Sequence, residues 1–215
     1  FPLFPNGPRG AEVLNTFAYT CGFSVCAALA GARTTSLDLS RKYLDWGKRN
    51  FALNNLDPAQ HDFIYGDVFD WLKRLRKKGR LFDAIVLDPP TFSQSRQHGA
   101  FRAEKDYGEL VALTLPLLKS EGVLFCSSNA AGLRPEKFLE MILTAVAAQR
   151  RHLLRREVDQ QALRDDQGRA RTGHAREDGG VRGRIGEVRR HRFVAAPRRL
   201  ADQVLLPVRD HVREV

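Results

Sequence analysis

Residues 13–38 read VLNTFAYTCGFSVCAALAGARTTSLD, and this stretch decides the fold. A short apolar run, Val13 and Leu14, enters a turn-forming segment that contains Asn15, Thr16, Tyr19, Thr20 and Gly22. The small residues from Ser24 to Ala30 suit a helix lying close on a sheet, and a second run ends on Asp38. Strand, tight loop, helix, strand and acid in that order build a nucleotide-shaped crevice at the carboxyl end of the first strand. An acid about 20 residues past the first turn is placed to hydrogen-bond a ribose. The loop has only Gly22, so it is not the glycine-rich dinucleotide signature. The stretch predicts a crevice for an adenosine-containing cofactor.

Outward from it, strands are expected at 12–17, 33–38, 63–65, 82–87 and 123–127, with an edge strand at 151–158. Helices are expected at 22–31, 41–55, 68–78, 107–119 and 137–148, the second opening on Ser40 as N-cap. The continuous apolar run FDAIVL at 82–87 reads as a buried central parallel strand. The sixteen residues 91–106, TFSQSRQHGAFRAEKD, are polar and basic and read as a mobile loop. Five alternations of strand and helix predict an α/β fold, a doubly wound, mostly parallel sheet flanked by helices.

Residues 1–10, with three prolines and two glycines, read as a linker remnant, and the chain opens on Phe1 rather than Met, so an upstream portion is expected. The folded domain is expected over 11–158. Beyond it the composition changes: residues 1–150 hold 19 Lys plus Arg and 18 of the 19 aromatics, whereas 151–215 hold 16 Arg, no Lys and only Phe193. Residues 159–215 therefore read as a poorly structured arginine-rich tail, either disordered or translated out of frame, and no function is drawn from them.

The net charge of +10 and pI near 10.0 favour an anionic partner, nucleic acid first; the plainer reading is a basic protein from an arginine-rich proteome. Cys21, Cys26 and Cys126 are too few and too irregular for a disulfide frame or a zinc site, so a reduced, cytoplasmic setting and no metal are expected. No run of 18 apolar residues and no charged-then-apolar leader is present, so neither membrane nor secretion is expected.

Polar residues at three consecutive strand ends share one sheet edge: Asn15, Asp38 and Asp67. Asp38 is placed for a ribose and Asp67 for an adenine edge; each has a helix-capping role as its plainer alternative. A second site follows the fourth strand. In Asp88-Pro89-Pro90-Thr91-Phe92 two prolines fix the backbone, so Asp88 is held rigidly above the sheet. Phe92 can then stack on an unstacked nucleobase. The plainer alternative is a turn.

In order and spacing, VLNTFAYTCGFS, SLDLS, GDVFDWL and DPPTF resemble the class I S-adenosylmethionine-dependent methyltransferases that modify bases of large-subunit (23S-type) ribosomal RNA. The resemblance covers about residues 11–150. It implies a Rossmann-like sheet, S-adenosylmethionine as methyl donor, an RNA base as acceptor, and cofactor contacts at Asn15, Phe17, Tyr19, Gly22, Asp38, Asp67 and Asp88. Cys21 departs from the family pattern, which usually has glycine there, and is expected to narrow the loop near the methionine moiety. Cytosine-C5 members need a cysteine nucleophile after the fifth strand. In GVLFCSSNAAG that place falls at or near Asn129, with Cys126 earlier, inside the strand, where cysteine is usually an inert core residue. Guanine-N7 members need no enzymic nucleophile, and Asn129 fits them better. The expected catalytic set is Asp88, Pro89, Pro90, Phe92 and Asn129, with Cys126 as the alternative nucleophile for the cytosine-C5 branch. The rival readings are a vestigial, non-catalytic RNA-binding domain and a small-molecule methyltransferase, the latter disfavoured by the basic segment 96–105.

Overall fold

The computed structural model describes residues 9–95, 99–149, 151–153, 157–158 and 203–210. The central strand β1 (Glu12–Thr16) pairs in parallel with β2 (Arg33–Asp38) on one side and with β4 (Phe82–Leu87) on the other. Strand β3 (Asp62–Tyr65) lies beyond β2, and β7 (Leu118–Ser127) lies beyond β4, all parallel. Three further strands are β8 (Arg151–Leu153), β9 (Glu157–Val158) and β10 (Gln203–Asp210), with β10 antiparallel to β7. The order is β3-β2-β1-β4-β7-β10-β8, a mostly parallel, Rossmann-like sheet.

Register explains the two layers of helices. Val13, Ala84 and Val123 stand in one cross-strand row, and Leu14, Ile85 and Leu124 in the next. Adjacent rows face opposite sides of a pleated sheet. The first row, with small Ala84, takes α1 (Gly22–Leu29) through Ala27. The same helix, through Val25 and Ala28, packs with Leu44 and Phe51 of α2 (Arg41–Leu53). The second row belongs to the larger core formed with α3 (Val68–Lys77), α4 (Ala103–Thr114) and α5 (Pro135–Ala148). Strand β2 carries Thr34, Thr35 and Ser36 fully buried, and each hydroxyl has a partner; Ser36 Oγ, for instance, lies 2.8 Å from Ser24 Oγ.

Three expectations change. The segment read as a mobile loop is a hairpin, β5 (Phe92–Ser95) with β6 (Gly99–Arg102), followed by the first turn of α4. Phe101, only 1% exposed, anchors the hairpin against Phe17 and Phe69, with ring centroids at 6.0 and 5.7 Å. Helix α4 therefore begins at Ala103 rather than 107. Glu104 and Asp106 lie in its first turn, where acids favour a helix N-terminus. It also stops before 119, because Pro116 sits in a 3-10 turn, Leu115–Leu117, and β7 starts at Leu118. Strand β10 lies where no strand period was read; the rest of the tail, with 154–156 and 1–8, is outside the described residues.

Candidate functional site

The parallel strands β1 to β4 end on one edge, and the chain leaves β1 through a contorted loop. Phe17, Tyr19 and Cys21 have φ of 51°, 49° and 61°, the left-handed region that costs an L-residue roughly 1–2 kcal/mol. Asp38 holds this loop. Its Oδ2 accepts the Tyr19 N–H at 2.8 Å and its Oδ1 accepts the Ser40 N–H at 2.7 Å. Ser40 caps α2, as expected, accepting the Tyr43 N–H. Asp67 caps α3 by accepting the Asp70 N–H at 3.1 Å.

A cleft opens at this edge. One wall is Phe17, Tyr19, Asp38 and Asp67; the other is Pro90 with Ser93, Gly99 and Phe101 of the hairpin; Leu39, Tyr43, Val68 and Phe69 complete it. The structure thus brings together five residues singled out in the sequence: Phe17, Tyr19, Asp38, Asp67 and Pro90. Two carboxylates at adjacent strand ends, enclosed by aromatic and aliphatic walls, fit a purine nucleoside: acceptors for hydroxyls and an amine, and apolar surface for a planar ring. Tyr43, Phe101, Ser93 and Gly99 were not anticipated. The signal for the hairpin was the alternation in FSQS and GAFR, which are separated by only three residues.

Other expected residues lie elsewhere. Asn15 is 1% exposed and donates its amide to Ser24 Oγ at 2.9 Å, so it braces α1 against β1 rather than lining the cleft. Gly22 is the first residue of α1, and a side chain there would meet nothing. Cys21 does not narrow the loop. Its side chain is fully buried in the gap left by Gly47 of α2, and burial pushes its thiol up to about 12. Cys126 is fully buried in the larger core, and burial raises its thiol well above the usual range; it cannot serve as nucleophile there.

The second site is a junction of two strand ends. Pro89 is buried, Asp88 is partly exposed and Phe92 is 49% exposed with the Arg102 guanidinium 5.2 Å from its ring centroid. Thr91 Oγ1 donates to Oδ1 of exposed Asn129 at 3.0 Å, joining the segment after β4 to the segment after β7. Below them sits a residue the sequence reading placed only in a helix. The buried Tyr107 hydroxyl shares its proton between the carbonyls of Leu87 and Ser127, at 2.9 and 3.0 Å, and accepts the Ser127 N–H at 3.1 Å. Burial keeps the phenol protonated, its pKa well above the ordinary value. Tyr107→Phe removes a hydroxyl partner from the Leu87 and Ser127 carbonyls and from the Ser127 N–H, and should lower stability by about 1–3 kcal/mol in urea titration, with the m-value unchanged.

Sheet order and cleft define the class: an α/β domain with a nucleoside crevice at the carboxyl ends of its parallel strands. Residues 6–171 match the model of the S-adenosylmethionine-dependent methyltransferases, and the chain belongs to that family. A ribosomal RNA large subunit methyltransferase K/L of Psychrobacter sp. (strain PRwf-1) is 50% identical over 131 residues, 59% of this chain and 16% of that protein. Ribosomal RNA large subunit methyltransferase K of Neisseria meningitidis serogroup B is 43% identical over 122 residues, 56% of this chain and 34% of that protein. The crystal structure of SMU.776 complexed with SAH is 35% identical with a TM-score of 0.64, over 70% of this chain and 40% of that one. The chain thus spans about a third or less of the length of these two curated relatives. Among the described residues no helix is long and apolar enough to cross a membrane, and no group of three or more potential metal ligands occurs.

Proposed function

We propose that this chain transfers a methyl group from S-adenosylmethionine to a base of large-subunit ribosomal RNA, in the cytoplasm, with 11–158 as the catalytic unit. The observation that carries the reading is the convergence of Asp38, Asp67 and Pro90, the last residue of Asp88-Pro89-Pro90, on one cleft in a chain of this family. Bound there, the cofactor supplies an electrophilic methyl on sulfur. Asp38 binds the ribose hydroxyls, Asp67 the adenine edge, and Phe17 and Tyr19 flank the ring. The prolines hold Asp88 without a backbone donor of their own, and Phe92 with Arg102 offers a face for the acceptor base. Catalysis is then mostly positioning and exclusion of water.

One observation bears on the acceptor atom. Cys21 and Cys126 are fully buried, and Cys26 lies on α1 outside the cleft lining. A pyrimidine-C5 route needs a thiolate at the acceptor base, and none of these three cysteines lines the cleft. A ring nitrogen with its own lone pair, such as guanine N7, needs none, and Asn129 beside Thr91 is a neutral partner for such a base. Calorimetry with S-adenosylhomocysteine should give a single site in the micromolar range, and methyl groups should pass from labelled cofactor to ribosomal RNA from a deletion strain. No heat at millimolar ligand would sink the enzyme reading and favour a vestigial binding domain.

A further inference from the structure

The edge of the sheet next to the cleft carries an arrangement that cofactor binding leaves unused. Among the described residues β3 pairs only with β2, so it is the open edge, flanked by α2 and α3. Along this edge cations sit over aromatic rings. The Arg41 guanidinium lies 5.0 Å from the centroid of Tyr65, and Lys48 Nζ lies 5.6 Å from that of Phe63. Trp71 receives Arg74 at 5.2 Å and Lys78 at 5.9 Å. Tyr65 is 51% exposed and stands two residues before Asp67, which lines the cleft.

Charge is polarised to match. From 41 to 78 the chain has nine Lys and Arg against five acids, and two of those acids, Asp45 and Asp70, are already paired with Lys48 and Arg74. Helices α4 and α5 reverse the balance, with Lys105 and Lys137 against five acids. On α3, Lys73, Arg76 and Lys77 are exposed and have no ion pair among the described residues. Cations late in a helix favour its dipole, and charges on an edge strand discourage strand addition. Neither effect calls for a half-exposed tyrosine under a guanidinium. Stacking faces alternating with phosphate-binding cations are what a single nucleic-acid strand requires.

We propose that the β3 edge, with α2 and α3, is the docking surface for an RNA strand entering the cleft. Tyr65 with Arg41 takes a base, and Lys73, Arg76 and Lys77 take phosphates. This rests on the RNA reading above, and it assigns the strand's path to the β3 side rather than to the acidic α4–α5 side.

The test is binding of a single-stranded RNA oligonucleotide by the full chain across a salt series, with S-adenosylhomocysteine affinity measured on the same samples. The arginine-rich tail is common to all variants, so differences in slope report the edge alone. The triple variant Lys73→Gln, Arg76→Gln, Lys77→Gln should reduce the slope of log K against log salt by about 2, at roughly 0.7 per lost phosphate contact. Tyr65→Ala should weaken binding at least roughly fivefold with the slope unchanged, since stacking releases no counterions. The control Lys105→Gln, Lys137→Gln should change neither. An unchanged slope in the triple variant, an equal change in the control, or wild-type RNA affinity in Tyr65→Ala overturns the proposal. Displacement of the RNA by polyglutamate at equal charge concentration also overturns it, in favour of an acidic protein partner. Loss of S-adenosylhomocysteine binding in the parent chain would instead count against the methyltransferase reading, and the slopes would still decide the docking surface.

Discussion

Asp38→Ala is expected to abolish measurable cofactor binding, a loss of a hundredfold or more in affinity. The carboxylate has two tasks. It accepts the backbone N–H groups of Tyr19 and Ser40, and so holds a loop whose left-handed residues would otherwise relax. It also lines the cleft where the ribose is proposed to sit. Hydrogen bonds to a charged acceptor contribute about 1.5–3 kcal/mol each, so losing the loop restraint and a ribose contact together exceeds the roughly 2.7 kcal/mol of a hundredfold change. Asp38→Asn separates the tasks. Its amide oxygen can still accept one N–H, but its NH2 group faces the other donor, so the loop is partly restored and affinity should fall by a smaller factor. Calorimetry on both variants, with circular dichroism to confirm that the sheet is intact, checks the order wild type, Asn, Ala. Wild-type affinity in Asp38→Ala would remove Asp38 from the site.

The fold was readable because its signals are local and repeated. Residues 33–38 and 82–87 carry their observed bounds: FDAIVL reads as one apolar run buried on both faces, and RTTSLD is delimited by the Gly31 turn and the terminal Asp38. What was hidden depended on partners far away in sequence. Phe101 looks like an isolated aromatic in a polar segment; only its contacts with Phe17 and Phe69 make that segment a hairpin and a cleft wall. Tyr107 looks like one more apolar residue on a helix face, yet its hydroxyl ties Leu87 to Ser127 across 20 residues in each direction. The site was legible in the same uneven way. Asp38 and Asp67 could be placed because strand ends share an edge. Asn15 satisfied the same rule, but its side chain turned inward to Ser24. A strand-end position gives proximity; side-chain direction depends on which neighbour offers a donor or acceptor.

Cys21 and Gly47 provide the sharpest stability test, because the sign of one substitution should reverse with the other. Gly47 lies inside α2, where alanine is ordinarily favoured by about 1 kcal/mol. A β-carbon at 47 would collide with the Cys21 sulfur and stand 2.9 Å from the Cys21 β-carbon. Neither can yield easily: Cys21 is fully buried in a left-handed turn, and α2 is fixed by Leu44 and Phe51 in the smaller core. Gly47→Ala alone should therefore destabilise by about 2–3 kcal/mol, the scale of overpacking in a closed core. Cys21→Gly removes the collision and also relieves the left-handed strain at φ 61°, which offsets the lost burial of the thiol. In that background Gly47→Ala should become neutral or stabilising by up to about 1 kcal/mol, a coupling of roughly 3 kcal/mol between the two positions. Urea unfolding of the four proteins in the cycle measures it directly. Additive effects within about 0.5 kcal/mol would show that the loop or the helix moves aside, and that the packing of this thiol does not dictate glycine at 47.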